Sequence, residues 1–137
     1  MHVEFFAGPE ALTREKAKLV KVLGVEEWAI LNFDDEVVHA IREKTRAHVL
    51  TYGFGEGADV RASNYKLFTS KVSGEFVPKG LTFKLEYQGN SVPIRIHNAF
   101  GKQHVYAALA AAACGIARGL NTIEIGEALS IYEPPPG

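Results

Sequence analysis

Lys16 stands where a lysine has reason to be chemically unusual. In the run GPEALTREKAKLVKVLG it follows Leu12 by four positions and precedes Leu19 and Val20 by three and four. On a helix that spacing puts it along the apolar stripe, away from Arg14, Lys18 and Lys21 on another face. Removing an ammonium from water lowers its pKa toward the neutral amine. A neutral amine is a nucleophile, and it also takes up carbon dioxide to become a carbamate, an anionic oxygen ligand. The alternative is a stem packed on the stripe with its charge reaching out to water. His2 and Glu4, two apart, share one side of an extended segment and could contribute to a metal site, although a complete site needs more ligands. Asp34-Asp35 follows an apolar run, a place where a hard cation or a ribose could be held; helix capping accounts for both carboxylates without a ligand.

Gly101-Lys102-Gln103-His104 is a polar run at the start of a helix, where free backbone N–H groups attract anions such as phosphate. Gly53-Phe54-Gly55-Glu56-Gly57 invites comparison with a phosphate loop. It lacks the terminal Lys-Ser/Thr and a following amphipathic helix, and Glu56 would repel phosphate, so it reads as a flexible turn. No Gly-x-Ser-x-Gly, His-Glu-x-x-His or cysteine pair occurs.

The elements that must position these residues follow from periodicity. Gly8-Pro9 opens a helix that runs to Leu23 and stops at Gly24, with Leu12, Leu19, Val20 and Leu23 as its stripe. Glu27–Phe33 is a short apolar run expected as a buried strand. Asp34 is expected to cap a helix of roughly Asp35–Lys44, with Phe33 and Val38 as a hydrophobic staple. Ala47–Tyr52 is a second strand, completing a parallel βαβ unit. Beyond Gly53, Asp59–Lys71 is extended. Leu81, Phe83, Leu85 and Tyr87 alternate with polar residues, Gln88-Gly89-Asn90 turns, and Val92, Ile94 and Ile96 return, with Pro93 marking an edge. Gly101–Gly119 is a helix apolar nearly all round, with Val105, Leu109, Ala112 and Ile116 on one face; it is too short to span a bilayer. Asn121 and Glu124 form a capping box for a last helix that buries Ile125, Ala128 and Leu129.

The chain has 137 residues, 47% of them hydrophobic, and a net charge of −1, which suits one soluble domain with a real core. The absence of a basic run argues against a nucleic-acid or anionic-membrane surface. The single Cys114 allows no internal disulfide and reads as a small buried hydrophobe, and the opening MHVEFFAGPE has no secretory signal, so a cytoplasmic setting is expected. Residues 134–137, Pro134-Pro135-Pro136-Gly137, read as a linker.

Four stretches resemble, in order, the central ATP-binding domain of the Mur ligases. HVEFFAGPEALTREKAKL resembles the family's His-Leu-Glu segment and its lysine-bearing helix. ILNFDDEVV resembles its Leu-Asn-x-Asp-Asp strand end, and GADVRASN the Ala-Asp-Val-Arg strand of the MurF type. GKQHVYAALAAAACGIARGLNTIEIGEAL resembles its Gly-x-His-Asn-x-x-Asn-Ala-Leu-Ala-Ala helix and the helix after it. The likeness is closest to the MurF type, UDP-N-acetylmuramoyl-tripeptide–D-alanyl-D-alanine ligase. It implies an α/β fold: a partial central domain over residues 1–133, with a short parallel βαβ unit, an antiparallel hairpin and flanking helices, followed by a linker to a C-terminal domain.

The family's reaction joins a carboxylate to an amine at the expense of ATP, through an acyl phosphate. The resemblance implies that Lys16 is the carbamylated lysine that helps hold Mg²⁺, with His2 as the metal-associated histidine. Asn32, Asp35, Gln103 and His104 fall on its nucleotide-binding side. The substrates it implies are a UDP-muramoyl-peptide and a dipeptide. Two departures stand out: the family's His-Asn is Gln103-His104 here, and its adenine-contacting Asn is Ala107. The family's phosphate loop has no counterpart in this chain, so the chain alone is expected to be inactive and to self-associate through an exposed edge or apolar patch. Other amide ligases with this domain (folylpolyglutamate or cyanophycin type) and a non-catalytic binding module are the alternatives.

Overall fold

The computed structural model describes residues 3–6, 23–132 and 134. Among these residues the framework is a six-stranded sheet in the order β1-β2-β3-β4-β5-β6. β1 (Val3–Phe6), β2 (Trp28–Asn32), β3 (His48–Gly53) and the start of β4 (Val60–Val72) run parallel, whereas β4, β5 (Glu75–Tyr87) and β6 (Asn90–His97) are antiparallel. The helix expected from Gly8 onward, with Lys16 on it, lies outside the described residues, as does His2.

β2 reads as an unbroken apolar run because both of its faces are covered. Ala29 and Leu31 point to one side with Leu23, Val38 and Ile41; Ile30 points to the other with Leu50 and Tyr52. The first side is closed by α1 (Glu36–Arg42), the second by α2 (Lys102–Ala117). Past β3 the apolar period becomes two. Leu81, Phe83 and Leu85 of β5 and Ile94 and Ile96 of β6 face the core that also takes in Val105, Leu109 and Ala112 of α2, while Lys84 and Arg95 face water.

α2 buries Val105, Ala108, Leu109, Ala112 and Ala113, and its small side chains let it lie against β2, β3 and β4 together. Ile116 is only partly buried. The helix ends in a Schellman motif: the Leu120 N–H donates to the Gly115 carbonyl (2.9 Å), the Gly119 N–H to Ile116 (2.9 Å), and Gly119 takes φ +96°. α3 (Thr122–Ser130) starts on the expected capping box, Glu124 N–H to Asn121 Oδ1 at 2.9 Å and Asn121 N–H to Glu124 Oε1 at 3.2 Å. Ile125 is buried and Leu129 partly so, but Ala128 is exposed rather than buried. The helix contacts β6 and α2 along a narrower stripe, one that takes in Thr122 instead. Apolar surface is also left open, with Ile131 82%, Phe76 74% and Ile123 65% exposed. No helix among the described residues is long and apolar enough to cross a membrane.

Candidate functional site

The carboxyl ends of β2 and β3 and the amino end of α2 meet at one point, and Asp34 occupies it. Sequence spacing makes Asp34 the cap of α1; in the structure Asp35 is the cap, its Oδ1 accepting the Val37 N–H at 3.0 Å. The shift by one residue moves the staple positions too. Phe33 instead lies under the glycine turn, where a Cβ on Gly57 would come within 2.5 Å of its ring and one on Gly55 within 2.8 Å.

Freed from capping, the Asp34 carboxylate accepts the Phe54 N–H at 2.7 Å and the Gly55 N–H at 2.9 Å. The Tyr106 hydroxyl, from α2, donates to the same carboxylate at 2.7 Å. The turn is therefore pinned rather than loose. Its two leading amides, which an incoming phosphate would need, are already engaged by the chain's own anion. Arg61 holds the far side: its Nε donates to the Phe54 carbonyl (3.1 Å) and its Nη1 pairs with Glu86 (3.0 Å). The Phe54 ring meets Tyr106 edge-on at 5.2 Å between centroids, and the Lys102 Nζ stands 4.9 Å from its centre.

The electrostatics follow this geometry. Partial burial raises the Asp34 pKa, but hydrogen bonds from Phe54, Tyr106 and Gly55 and the charge of Lys102 outweigh it, leaving the carboxyl below its ordinary value. Burial and the bond to Asp34 push the Tyr106 hydroxyl up to about 12. Burial, then the charge of Asp35, raises the Tyr52 hydroxyl as well.

Of the residues expected at a nucleotide site, Asn32 and Asp35 sit at the end of β2 with local hydrogen bonds. Asn32 Oδ1 accepts the Asp34 N–H at 2.9 Å, and Asp35 caps α1. Gln103 is exposed on the first turn of α2, its Nε2 reaching the Phe100 carbonyl at 3.5 Å. His104 lines a cavity of about 160 Å³ with Ala107, Ala108, Ala111, Leu129 and Tyr132. Among the described residues no hydrogen bond joins the side chain of Gln103 or His104 to Asn32 or Asp35; the two groups share an end of the sheet through Asp34 and Tyr106. Sequence reasoning missed Tyr106 altogether and read Asp34 as a cap or a cation or ribose ligand rather than as the acceptor for the glycine turn and Tyr106. A signal existed: the sole hydroxyl along a helix of alanines, and a second carboxylate beside a helix that needs one cap.

The start of α2 suits an anion. Its cap residue Gly101 makes no side-chain cap bond, and Lys102 opens the first turn with its ammonium over the Phe54 ring. A metal is less well provided for. Among the described residues, no three His, Cys, Asp or Glu side chains gather as a metal site.

Residues 1–115 match the family model of the Mur ligase middle domain. This chain belongs to the Mur ligase family. It is 33% identical over 134 residues to the UDP-N-acetylmuramoyl-L-alanyl-D-glutamate–2,6-diaminopimelate ligase of Bacillus licheniformis, covering 93% of this chain and 25% of that protein. In fold it is similar to MurF from Acinetobacter baumannii, with TM-score 0.74 and 24% identity over 93% of this chain and 26% of the other. It is also similar to MurF ligase from Thermotoga maritima in complex with ADP, with TM-score 0.68 and 16% identity over 98% and 31%. The chain thus spans about a quarter of the length of the curated Mur relatives it matches. The mixed sheet with flanking helices expected of a Mur central domain is the fold observed. The Bacillus licheniformis relative matched by sequence is a diaminopimelate-adding ligase, whereas the likeness to MurF lies at the level of fold.

Proposed function

We propose that this chain is the later part of the central domain of an ATP- and Mg²⁺-dependent Mur ligase, which joins an amine to the carboxylate of a UDP-muramoyl-peptide in peptidoglycan precursor synthesis. The observation that carries the reading is the placement of the uncapped, Lys102-bearing start of α2 at the carboxyl ends of parallel strands, where α/β sheets receive ligands. In this reading the first turn of α2 and Lys102 attract the anionic part of the nucleotide. Gln103 and His104 flank it, and the shallow cavity beside Ala107 accepts part of a flat base. ATP supplies the phosphoryl group that activates the carboxylate. His2 and the carbamate of Lys16 are the proposed Mg²⁺ ligands; neither lies among the described residues.

The 33% identity favours 2,6-diaminopimelate as the amine. GADVRASN, with its MurF-type Ala-Asp-Val-Arg, favours a D-alanyl-D-alanine dipeptide as the second reading. Two measurements test the proposal. Crystals grown with bicarbonate and Mg²⁺ are expected to show a carbamate on Lys16 Nζ that Lys16→Ala abolishes; an unmodified Lys16 in bulk water overturns its assignment. A longer protein that carries this chain together with the phosphate loop and the C-terminal domain is expected to release ADP with ATP, UDP-N-acetylmuramoyl-L-alanyl-D-glutamate and 2,6-diaminopimelate. Release only with the muramoyl tripeptide and D-alanyl-D-alanine selects the second reading, and release with neither pair overturns the proposal in favour of another amide ligase (folylpolyglutamate or cyanophycin type) or a non-catalytic binding module.

A further inference from the structure

We infer that Asp34 is a positioning residue: with Tyr106 it latches the first turns of α2 onto the Gly53–Gly57 turn and so sets where Lys102, Gln103 and His104 stand. For what those three side chains do, the inference rests on the nucleotide reading; for the latch itself it does not.

Nothing local explains the bonds that Asp34 makes. Its neighbour Asp35 already caps α1, and its three donors lie 20, 21 and 72 positions away. Two successive amides aimed at one point form a concave anion nest, and here the anion is internal. The nest is built closely around it. A Cβ on Gly53 would come within 2.8 Å of the Asp34 carboxylate, and one on Gly55 within 2.9 Å of it. At the other end, α2 has no side-chain cap of its own, and beside the packing of Val105 its start is tied to the sheet by the Tyr106 hydroxyl and by the Tyr106 and Lys102 contacts with Phe54. The carboxylate therefore ties α2 to the ends of β2 and β3, just beyond the last backbone bond between them, Phe33 N–H to the Tyr52 carbonyl at 2.7 Å.

The test is ¹⁵N NMR on this chain. Tyr106→Phe keeps the ring and the fold, and it is expected to speed amide exchange at Phe54, Gly55 and His104 about tenfold, in line with one hydrogen bond of ordinary net worth. Asp34→Ala is expected to lose the protection at Phe54 and Gly55, and formate to restore it where chloride at equal ionic strength does not, because only a carboxylate refills the nest. Unchanged exchange in Tyr106→Phe, or formate acting no differently from chloride, overturns the latch. In a parallel titration of a longer wild-type protein that carries the phosphate loop, ATP is expected to shift the His104 ring resonances, and less so in its Tyr106→Phe variant. No shift in the wild type overturns the nucleotide reading while the exchange data still decide the latch.

Discussion

Asp59 takes the place of a strand beside Thr51. Its Oδ2 accepts both the Thr51 N–H (2.9 Å) and the Thr51 hydroxyl (3.1 Å), and its own N–H donates back to that hydroxyl (3.0 Å). One position further on, the β3–β4 ladder begins with Tyr52 opposite Val60 and ends with Gly53 opposite Arg61. Parallel neighbours ordinarily need a crossover of a dozen residues. Here a six-residue connection suffices, because β4 overlaps β3 by two positions and a side chain completes the third.

Thr51 is 1% exposed, so Asp59→Ala strands a buried donor. The expected cost is about 2 to 3 kcal/mol in urea denaturation, the penalty of an unmatched buried group added to lost charge-assisted bonds. Asp59→Asn, which keeps an acceptor, is expected to cost less than half of that. A loss below about 0.5 kcal/mol for Asp59→Ala, the scale of a surface substitution, would show that the side chain does not carry the ladder.

Gly80 is required by a close approach of two strands. A Cβ there would strike the Ile96 backbone carbonyl and come within 2.7 Å of the Phe68 ring, itself covered by the Arg95 guanidinium at 4.4 Å. A carbonyl in a ladder cannot step aside as a side-chain tip can. Gly80→Ala is expected to lower stability by about 2 to 3 kcal/mol through overpacking. Gly89→Ala, with open space around its Cβ but φ +80°, is expected to cost only about 1 kcal/mol. Thermal melts of the two variants give the comparison, and equal losses would remove the steric explanation.

The Asp34 carboxyl titrates below its ordinary value of 3.8 in the folded chain, so the folded state favours its charged form. Its contribution to stability is therefore complete above about pH 5 and is lost as the pH falls through the ordinary value to the lower, folded one. The stability difference between wild type and Asp34→Ala is expected to be constant from neutral pH down to about pH 5 and to shrink below pH 4. At the alkaline end the sign reverses. Tyr106 is held protonated, so its share is present below its ordinary 10.0 and lost as the pH climbs through about 12. Denaturation across pH checks both limbs; a wild-type advantage that grows on acidification would contradict the Asp34 geometry.

What was legible in the sequence was whatever repeats locally. Leu81, Phe83 and Leu85 announce a half-buried strand by alternation, Asn121 and Glu124 announce a helix start, and Gly119 announces a helix end, since each signal is complete within a few residues. The α2 stripe was legible for the same reason. The Asp34 hub was not, because its meaning lies in a turn 20 residues on and a hydroxyl 72 residues on. Two adjacent aspartates compete for one cap, and Asp35 takes it by accepting the Val37 N–H. Ala128 misled in the opposite way: an apolar side chain small enough to be left in water reads as core.

One helix spans a seam. The parallel and antiparallel halves of the sheet are stitched at two ladder positions and the Asp59 clasp, and α2 lies across β2, β3 and β4 like a splint over a fracture. Neither half can peel away without stripping the apolar cover from its neighbour. Heat or denaturant should accordingly dissolve the described sheet as a single cooperative body, and any force applied at the amino end of that splint is felt on both sides of the seam.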